Sequence, residues 1–267
     1  MKRYLVWAFA FMLSLGAWSQ GIDDMTLEGR FAAQVKSFDE FLCRFNGTES
    51  KPEIPKDEKW RDNNLVSLFD AQMPRGNDPE VFKASVMEFI SVVKNLESPL
   101  LVTDSMIFAK AESTIKFQGK ERKITLILQC EKFRETKKRW AIIGVDGLQE
   151  AGMIDTTNVR GINPVEHEIH FMGLTSTFKY DAQEIMGFRG KNTPIDQLSV
   201  FMAFVQLKSI ELVTVDKLTY HILSVPGYVL TLNEINRKDY NSGWLIDSFR
   251  KIDNKEKVEY INRLLGK

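Results

Sequence analysis

The chain has 267 residues, 43% of them hydrophobic and 27% charged, so it holds enough apolar material for one large domain or two of ordinary size. Its 36 basic and 36 acidic side chains cancel, and a formal net charge of zero argues against a field that would attract nucleic acid or an anionic membrane. We therefore expect no nucleic-acid partner.

Residues 1–19 have the composition of an export signal. Lys2 and Arg3 form the positive end, residues 4–15 form an apolar core, and Ala17-Trp18-Ser19 is a small-x-small cleavage site. A core of this length falls short of the ~20 residues that a membrane-spanning helix needs. We expect a mature chain that starts at Gln20, has no membrane span, and is exported to the periplasm or the extracellular space.

Residues 20–150 are predicted to form a first α+β unit that opens with two helices. The first covers about 23–45, carries an apolar stripe and stops at Asn46-Gly47; the stripe is Phe31, Val35, Phe38, Leu42 and Phe45. Residues 47–78 are polar and predict a surface excursion. The second helix starts at Asp78-Pro79-Glu80, where Asp78 is the cap and Pro79 the first helical residue.

Three strands then complete this unit, at about 106–117, 123–134 and 139–146. In the second strand an apolar side alternates with a more exposed side, and the apolar side consists of Ile124, Leu126, Leu128 and Cys130. The segment KITLILQCEKFRETKKRWAIIGVDG, 123–147, recurs in outline as GYVLTLNEINRKDYNSGWLIDSFR, 227–250. Each copy predicts a strand, a polar turn and a strand that begins near a tryptophan.

Residues 160–267 repeat the order of elements and are predicted to form a second α+β unit. One helix covers 163–178, and a second opens at Thr193–Asp196 with an inner face of Leu198, Phe201, Met202 and Val205. Strands follow at about 212–224, 228–236 and 243–250, and a short C-terminal helix ends at Gly266. The predicted fold is α+β, with two tandem units that each pack two helices on a bent, cone-like antiparallel sheet.

Cys43 and Cys130 are the only cysteines. Export to an oxidising compartment favours a disulfide between them. The apolar side of the strand that carries Cys130 favours two separate buried thiols instead. The sequence leaves both alternatives open.

The histidines suggest two candidate sites, and neither pattern is specific. His167 and His170 lie three residues apart in a predicted helix, but zinc takes three or four protein ligands and no further cluster is nearby, so a polar helix face is the better interpretation. Asp216 precedes His221 by five positions, which predicts opposite faces of one strand rather than an acid–base pair. The nucleophile-elbow, P-loop and dinucleotide glycine patterns are absent. We predict no catalytic residue, no metal ligand and no cofactor.

The order of elements, together with the final strands RWAIIGVDG and GWLIDSFR, resembles the nuclear transport factor 2-like superfamily and the related cystatin-like cone fold. The segment PVEHEIHFMGLTSTF, 164–178, looks like the opening helix of the second half in exported proteins of gut bacteria. The resemblance implies a curved sheet covered by helices. It does not imply one function, since that superfamily includes isomerases, dehydratases and binding modules. Its enzymes place an Asp–His or Tyr–Asp set inside the cone, and no such set falls on matching positions here.

The favoured function is therefore an exported, non-catalytic protein that binds another macromolecule, or a small apolar ligand in a cavity between helices and sheet. The first alternative is a cone-type isomerase or hydrolase with its site in the second unit, which would involve His221, Asp216 and Tyr220. The second alternative is a scaffold that dimerises through its sheets.

Overall fold

The fold combines five helices with six strands in the residues described by the computed structural model, which are 35–48, 58–74, 78–135, 137–154, 188–190, 192–238 and 241–266. The elements are α1 Phe38–Asn46, α2 Glu58–Ser67, α3 Pro79–Lys94, β1 Ile107–Phe117, β2 Lys120–Phe133, β3 Lys137–Asp146, α4 Gln197–Gln206, β4 Ile210–Ile222, β5 Tyr228–Ile235, β6 Gly243–Lys251 and α5 Asn254–Leu264. The α+β class is confirmed, and all six strands lie close to their predicted positions. The predicted signal and the predicted helix over 163–178 lie outside the described residues.

The strands form one antiparallel sheet in the order β3-β2-β1-β4-β5-β6. Each predicted unit ends in three consecutive antiparallel strands, a meander. The first strands of the two meanders, β1 and β4, pair with each other at the centre, for example Ala111 with Leu218. The sequence predicts a separate sheet for each tandem unit, whereas the structure joins both meanders in one. An unpaired first strand would leave a row of backbone N–H and C=O groups unsatisfied, and the β1–β4 pairing satisfies many of them.

The described residues divide into two compact bodies. The helical body contains the residues up to Ile90 together with those from Asn233 to Asp247. The sheet body contains those from Ser91 to Leu232 together with those from Ser248 onward. The boundaries fall inside α3, β5 and β6.

Both faces of the sheet body bury apolar side chains. On the α4 face, Phe201 of α4 packs with the buried sheet residues Ala111, Ile115, Phe117, Ile124, Leu126 and Val145. On the α5 face, Ile261, Leu264 and Leu265 pack against a cluster that includes Phe108 and Ile127. Ile124, Leu126 and Cys130 are buried as the alternation predicts, but Ile127 on the opposite side is only 1% exposed because α5 covers it.

The inner face of α4 differs from the prediction. Leu198, Phe201 and Phe204 pack on the sheet, and the Phe204 ring meets the Phe117 ring edge-on at 5.4 Å. Met202 and Val205, which the sequence assigns to the inner face, are 43% and 45% exposed. The prediction of the inner face is wrong for these two residues. The buried positions continue from Leu198 and Phe201 to Phe204, three residues apart each time, and do not move on to 202 and 205.

In the helical body, α1 begins later than predicted. Val35 forms a parallel bridge with Gly243, and the Ser37 hydroxyl accepts a hydrogen bond from the Glu40 backbone, which starts the helix at Phe38. The predicted stop is confirmed, since Gly47 adopts the left-handed conformation at the C-terminus.

The predicted surface excursion is anchored rather than free. It contains α2, and the apolar residues that follow the middle of this helix, Leu65, Leu68 and Phe69, are buried. The Arg61 guanidinium donates to the backbone carbonyls of Arg44 and Phe45 at the end of α1. Carbonyls in the last turn of a helix lack partners within the helix, so Arg61 stabilises that end.

Candidate functional site

A cleft of about 370 Å³ lies on the α5 face of the sheet body. Its walls come from β1, β2, β4 and the start of the turn after β3, and its lining residues are Glu112, Ser113, Lys123, Ile124, Thr125, Gly147 and Asp216. The lining combines charged and hydroxyl side chains with a larger share of apolar surface. The cleft therefore offers both polar and apolar contacts.

A β-bulge in β4 shapes this cleft. Glu112 pairs with Lys217 and the next residue, Ser113, pairs with Val215, so Asp216 is an extra residue without a partner on β1. A bulged residue leaves the period-two alternation and redirects its side chain. The Asp216 carboxylate consequently meets side chains of the α5 face.

Asp216, Thr114 and Lys123 form a closed set of hydrogen bonds. Asp216 Oδ2 accepts from Thr114 Oγ1 at 2.7 Å and from Lys123 Nζ at 2.8 Å, and Lys123 Nζ also donates to Thr114 Oγ1 at 2.6 Å. The hydrogen bond from Lys123, followed by that from Thr114, lowers the pKa of Asp216 below its usual value. Asp216 is therefore ionised at neutral pH.

This set is an ion pair with a bridging hydroxyl rather than an activated nucleophile. To activate Thr114, a base would have to take its proton, and the best bases titrate near the working pH. A carboxyl with a lowered pKa is a weak base, and the Lys123 ammonium already donates a hydrogen bond to the hydroxyl oxygen. The arrangement can hold a polar group at the mouth of the cleft, but it does not prepare Thr114 for attack.

His221 lies elsewhere on the same face, against α5. Its Nδ1 is 2.6 Å from the Tyr260 hydroxyl, and its Nε2 is buried without a hydrogen-bond partner in the described part of the chain. Burial, and then the positive charges of Lys110 and Lys217, lower the pKa of His221 to about 4. The ring is thus neutral at pH 7, and together with Tyr260 it fastens α5 to the sheet.

The structure does not bring together the residues of the enzyme alternative. The bulge places Asp216 on the same face as His221, so the predicted opposite faces are wrong. The two remain far apart, because Asp216 bonds to Thr114 while His221 pairs with Phe108, six residues or about 20 Å away along β1. Tyr220 points to the α4 face, where its ring lies 5.8 Å from that of Trp140.

The other predicted sites have less to describe. His167 and His170 lie outside the described residues, and no group of His, Cys, Asp or Glu that could hold a metal occurs within them. Cys43 and Cys130 are separate free thiols, as in the second alternative, but only Cys130 is buried and Cys43 is partly exposed; burial raises the pKa of Cys130. None of the helices in the described ranges is long and apolar enough to cross a bilayer.

An exposed apolar surface occupies the end of α4, the following turn and the start of β4. Of the twelve exposed large hydrophobic side chains in the described part of the chain, six lie between positions 202 and 215: Met202, Val205, Leu207, Leu212, Val213 and Val215, each 43–72% exposed. We call these six residues the α4–β4 strip. Monomeric proteins usually scatter exposed apolar residues singly, so this concentration along the sequence makes the strip a candidate interaction surface.

The strip also includes the unpaired part of a strand. β4 has 13 residues and β5 has 8, and the turn that joins them follows the C-terminal end of β4. At least five residues at the start of β4 (13 − 8 = 5) therefore extend beyond β5 and have no β5 partner. Residues 211–217 are all exposed. This surface is not apparent from the sequence, because the periodicity places Met202 and Val205 in the core and the apolar residues of β4 suggest a covered strand.

Comparisons of the chain with protein-family models, with curated proteins and with solved structures find no match.

Proposed function

We propose that this chain is an exported, non-catalytic interaction protein that binds another protein chain along the α4–β4 strip. The observation that carries the proposal is the strip itself, where half of the exposed large apolar side chains in the described residues are concentrated within 14 positions of the sequence. Export rests on the composition of residues 1–19.

The strip offers a bound chain two kinds of contact. The start of β4 extends beyond β5, so its backbone is available to an added strand, a common mode of peptide recognition. Leu212 and Val215 pair with Ile115 and Ser113 of β1, which places both on the α4 face of the sheet. Each half-exposed side chain covered by a partner contributes roughly 1 kcal/mol, since full burial of such a side chain is worth about 1.5–3 kcal/mol.

The non-catalytic part of the proposal is supported by the partners of the ionisable groups. Asp216 is held by Lys123 and Thr114, and His221 is held neutral against Tyr260. Each set stabilises contacts between elements of the sheet body. Neither has the pKa near 7 that favours general acid–base chemistry.

We also propose that the chain arose from two similar α+β units, as the nuclear transport factor 2-like resemblance implies. The strand order supports this, because it reads outward as first, second and third strand on both sides of the central β1–β4 pair. A contact between two aromatic rings on the α4 face supports a curved sheet. The Trp140 and Tyr220 rings lie 5.8 Å apart although β1 and β2 run between their strands, over the small side chains of Ala109 and Cys130.

The proposal is tested with a fluorescent synthetic peptide that alternates valine with threonine and lysine, an extended probe for a strand edge. Fluorescence anisotropy of this peptide should rise and saturate with the wild-type protein. The rise should be lost with Leu212→Lys and kept with Val81→Lys, which alters a side chain 61% exposed on α3. Equal binding by all three proteins would refute the role of the strip.

The enzyme alternative is tested on the same preparations. Turnover of an ester, glycoside, peptide or ketosteroid at an enzyme-like rate, abolished by His221→Gln or Asp216→Asn in a folded protein, would replace the non-catalytic proposal.

A further inference from the structure

The β2–β3 hairpin projects beyond β1 at the end that carries its turn. Its last four residue pairs, in which 130–133 of β2 face 137–140 of β3, lie past Gln129, the last residue of β2 that pairs with β1. At about 3.3 Å per residue these pairs extend about 13 Å. All the described residues of the stretch 131–140 are exposed. We call residues 131–140 the basic tip.

The basic tip concentrates positive charge in a chain whose formal net charge is zero. Five basic and two acidic side chains give it a net charge of +3, and the basic ones are Lys132, Arg134, Lys137, Lys138 and Arg139. A local excess of this kind acts within a Debye length, about 8–10 Å, although the whole chain has no long-range field. Neutrality of the chain therefore does not oppose contact between the tip and an anionic surface.

The positive side chains are gathered on both faces of the tip. Lys132 and Lys138 form a cross-strand pair, and like charges directly opposite each other destabilise a strand pair. On the other face the guanidinium groups of Arg134 and Arg139 both stack on the Phe133 ring, at 5.3 and 4.7 Å from its centroid. An anionic partner would turn the lysine repulsion into attraction, and guanidinium groups match the geometry of phosphate oxygens.

Each face of the tip also exposes an aromatic ring. Trp140 pairs with Cys130 on the α4 face and is 37% exposed, whereas Phe133 lies on the α5 face and is 40% exposed. A flat protein surface or a rigid polyanion covers one face of a two-stranded projection, but a layer of lipid headgroups surrounds both. The two rings therefore favour a lipid surface, where aromatic rings are buried at the interface and basic side chains stay at the phosphates.

We propose that the basic tip binds an anionic phospholipid surface, with its four projecting pairs in the headgroup layer. This layer is about 5–8 Å thick in each leaflet, so a projection of about 13 Å reaches the boundary of the acyl chains. The residues of β2 after Gln129 have no partner on β1, and hydrocarbon does not tolerate unpaired backbone groups. The tip consequently stops at this boundary.

Sedimentation with lipid vesicles tests the proposal. The chain is used without residues 1–19, since their apolar core would itself bind lipid. Vesicles that mix phosphatidylglycerol with phosphatidylcholine should bind the protein, and added salt should weaken this binding. Vesicles of phosphatidylcholine alone should bind it at least tenfold more weakly.

Two lysines on β2 and β3 provide a matched pair of variants. Lys138→Glu should weaken binding to the anionic vesicles about tenfold or more, because it removes one positive charge from the tip and adds a negative one. Lys120→Glu makes the same change at an exposed lysine at the opposite end of β2, and should leave binding nearly unchanged.

Phe133→Ser distinguishes a lipid surface from other polyanions. It should weaken binding to the anionic vesicles about fivefold, because a half-exposed ring is no longer buried there. Heparin is a soluble polyanion without an apolar layer, and its binding should be the same for this variant and the wild type. Circular dichroism shows that each variant is folded.

Two results would overturn the proposal directly: the anionic vesicles do not bind the wild type, or Lys138→Glu and Lys120→Glu weaken binding equally. Binding to heparin, combined with vesicle binding that Phe133→Ser leaves unchanged, would replace the lipid surface with a soluble polyanion. The proposal is independent of the proposed function, because the α4–β4 strip lies at the start of β4, whereas Phe108 beside the tip pairs with His221 near its end. Leu212→Lys should therefore not weaken binding to vesicles.

Discussion

Acidification should destabilise this protein through His221. The folded-state pKa is lowered to about 4, while an exposed histidine in the unfolded chain has a pKa near 6.5. Between these values the unfolded state binds the proton and the folded state does not. The contribution of His221 to stability is therefore complete above about pH 6.5, falls as the pH drops towards 4, and does not change further below it.

The size of this effect follows from the shift. A difference of about 2.5 pKa units corresponds to about 3 kcal/mol, and about 2 kcal/mol of it should be lost between pH 7 and pH 4.5. Carboxylates titrate in the same range, so the measured quantity is the difference between the wild type and His221→Gln, whose amide can still bond to Tyr260 without titrating.

The assay is urea unfolding at pH 7 and pH 4.5, followed by circular dichroism. The wild type should lose about 2 kcal/mol more of its free energy of unfolding than His221→Gln does over this interval. Equal losses in the two proteins, or a larger loss in the variant, would show that the ring is not buried as a neutral base against Tyr260.

Two further predictions concern the helical body. Gly243→Ala should lower the free energy of unfolding by about 3 kcal/mol or more, because the residue has φ +98 and a Cβ would lie 2.0 Å from the backbone oxygen of Val35. Gly119→Ala, with φ +75 and open space around it, should lower it by only about 1 kcal/mol; thermal unfolding measures both. Asp70→Ala should lower the free energy of unfolding by about 2–3 kcal/mol, because it removes the carboxylate 2.6 Å from the largely buried Arg237. Glu131→Ala breaks an exposed ion pair with Arg139 and should change it by less than about 1 kcal/mol. Equal costs within either pair of variants would contradict these assignments.

Local signals in the sequence predicted the element boundaries well. The Asp78 carboxylate accepts from the Glu80 and Val81 backbones at the start of α3, and Gly47 ends α1, as their positions before and after apolar stripes indicate. Alternation located all six strands within a few residues. These features depend on neighbours in sequence, so the chain alone determines them.

The site could not be predicted because it depends on contacts between distant segments. The pairing of β1 with β4 joins residues about one hundred positions apart, and no local pattern records it. The bulge at Asp216 then breaks the alternation on which the face of each β4 residue was assigned. Tyr260 reaches His221 from a helix 39 positions later. The bulge reverses the predicted face of Asp216, and the β1–β4 and Tyr260–His221 contacts are additions that the sequence pattern does not predict.

The exposure of β4 is a property of the second meander alone. In the first meander β2 has 14 residues and β1 has 11, and their register runs without a break from Phe108 to Phe117. The first residues of β1 are buried, with Ile107 at 0% and Ala109 at 3% exposure. In the second meander the strand beside β4 ends at Ile235, and from Asn233 onward the chain belongs to the helical body.

After Ile235 the chain makes contacts within the helical body. Arg237 binds Asp70, and the Asn241 amide donates to the Phe69 carbonyl. The segment that would continue β5 along the start of β4 is thus used elsewhere, and β4 keeps its apolar side chains without a cover from its own hairpin. A role of Leu212 and Val215 in folding would require their burial, which Ile107 and Ala109 have and these two residues lack. Their apolar character agrees with the proposed contact with another chain.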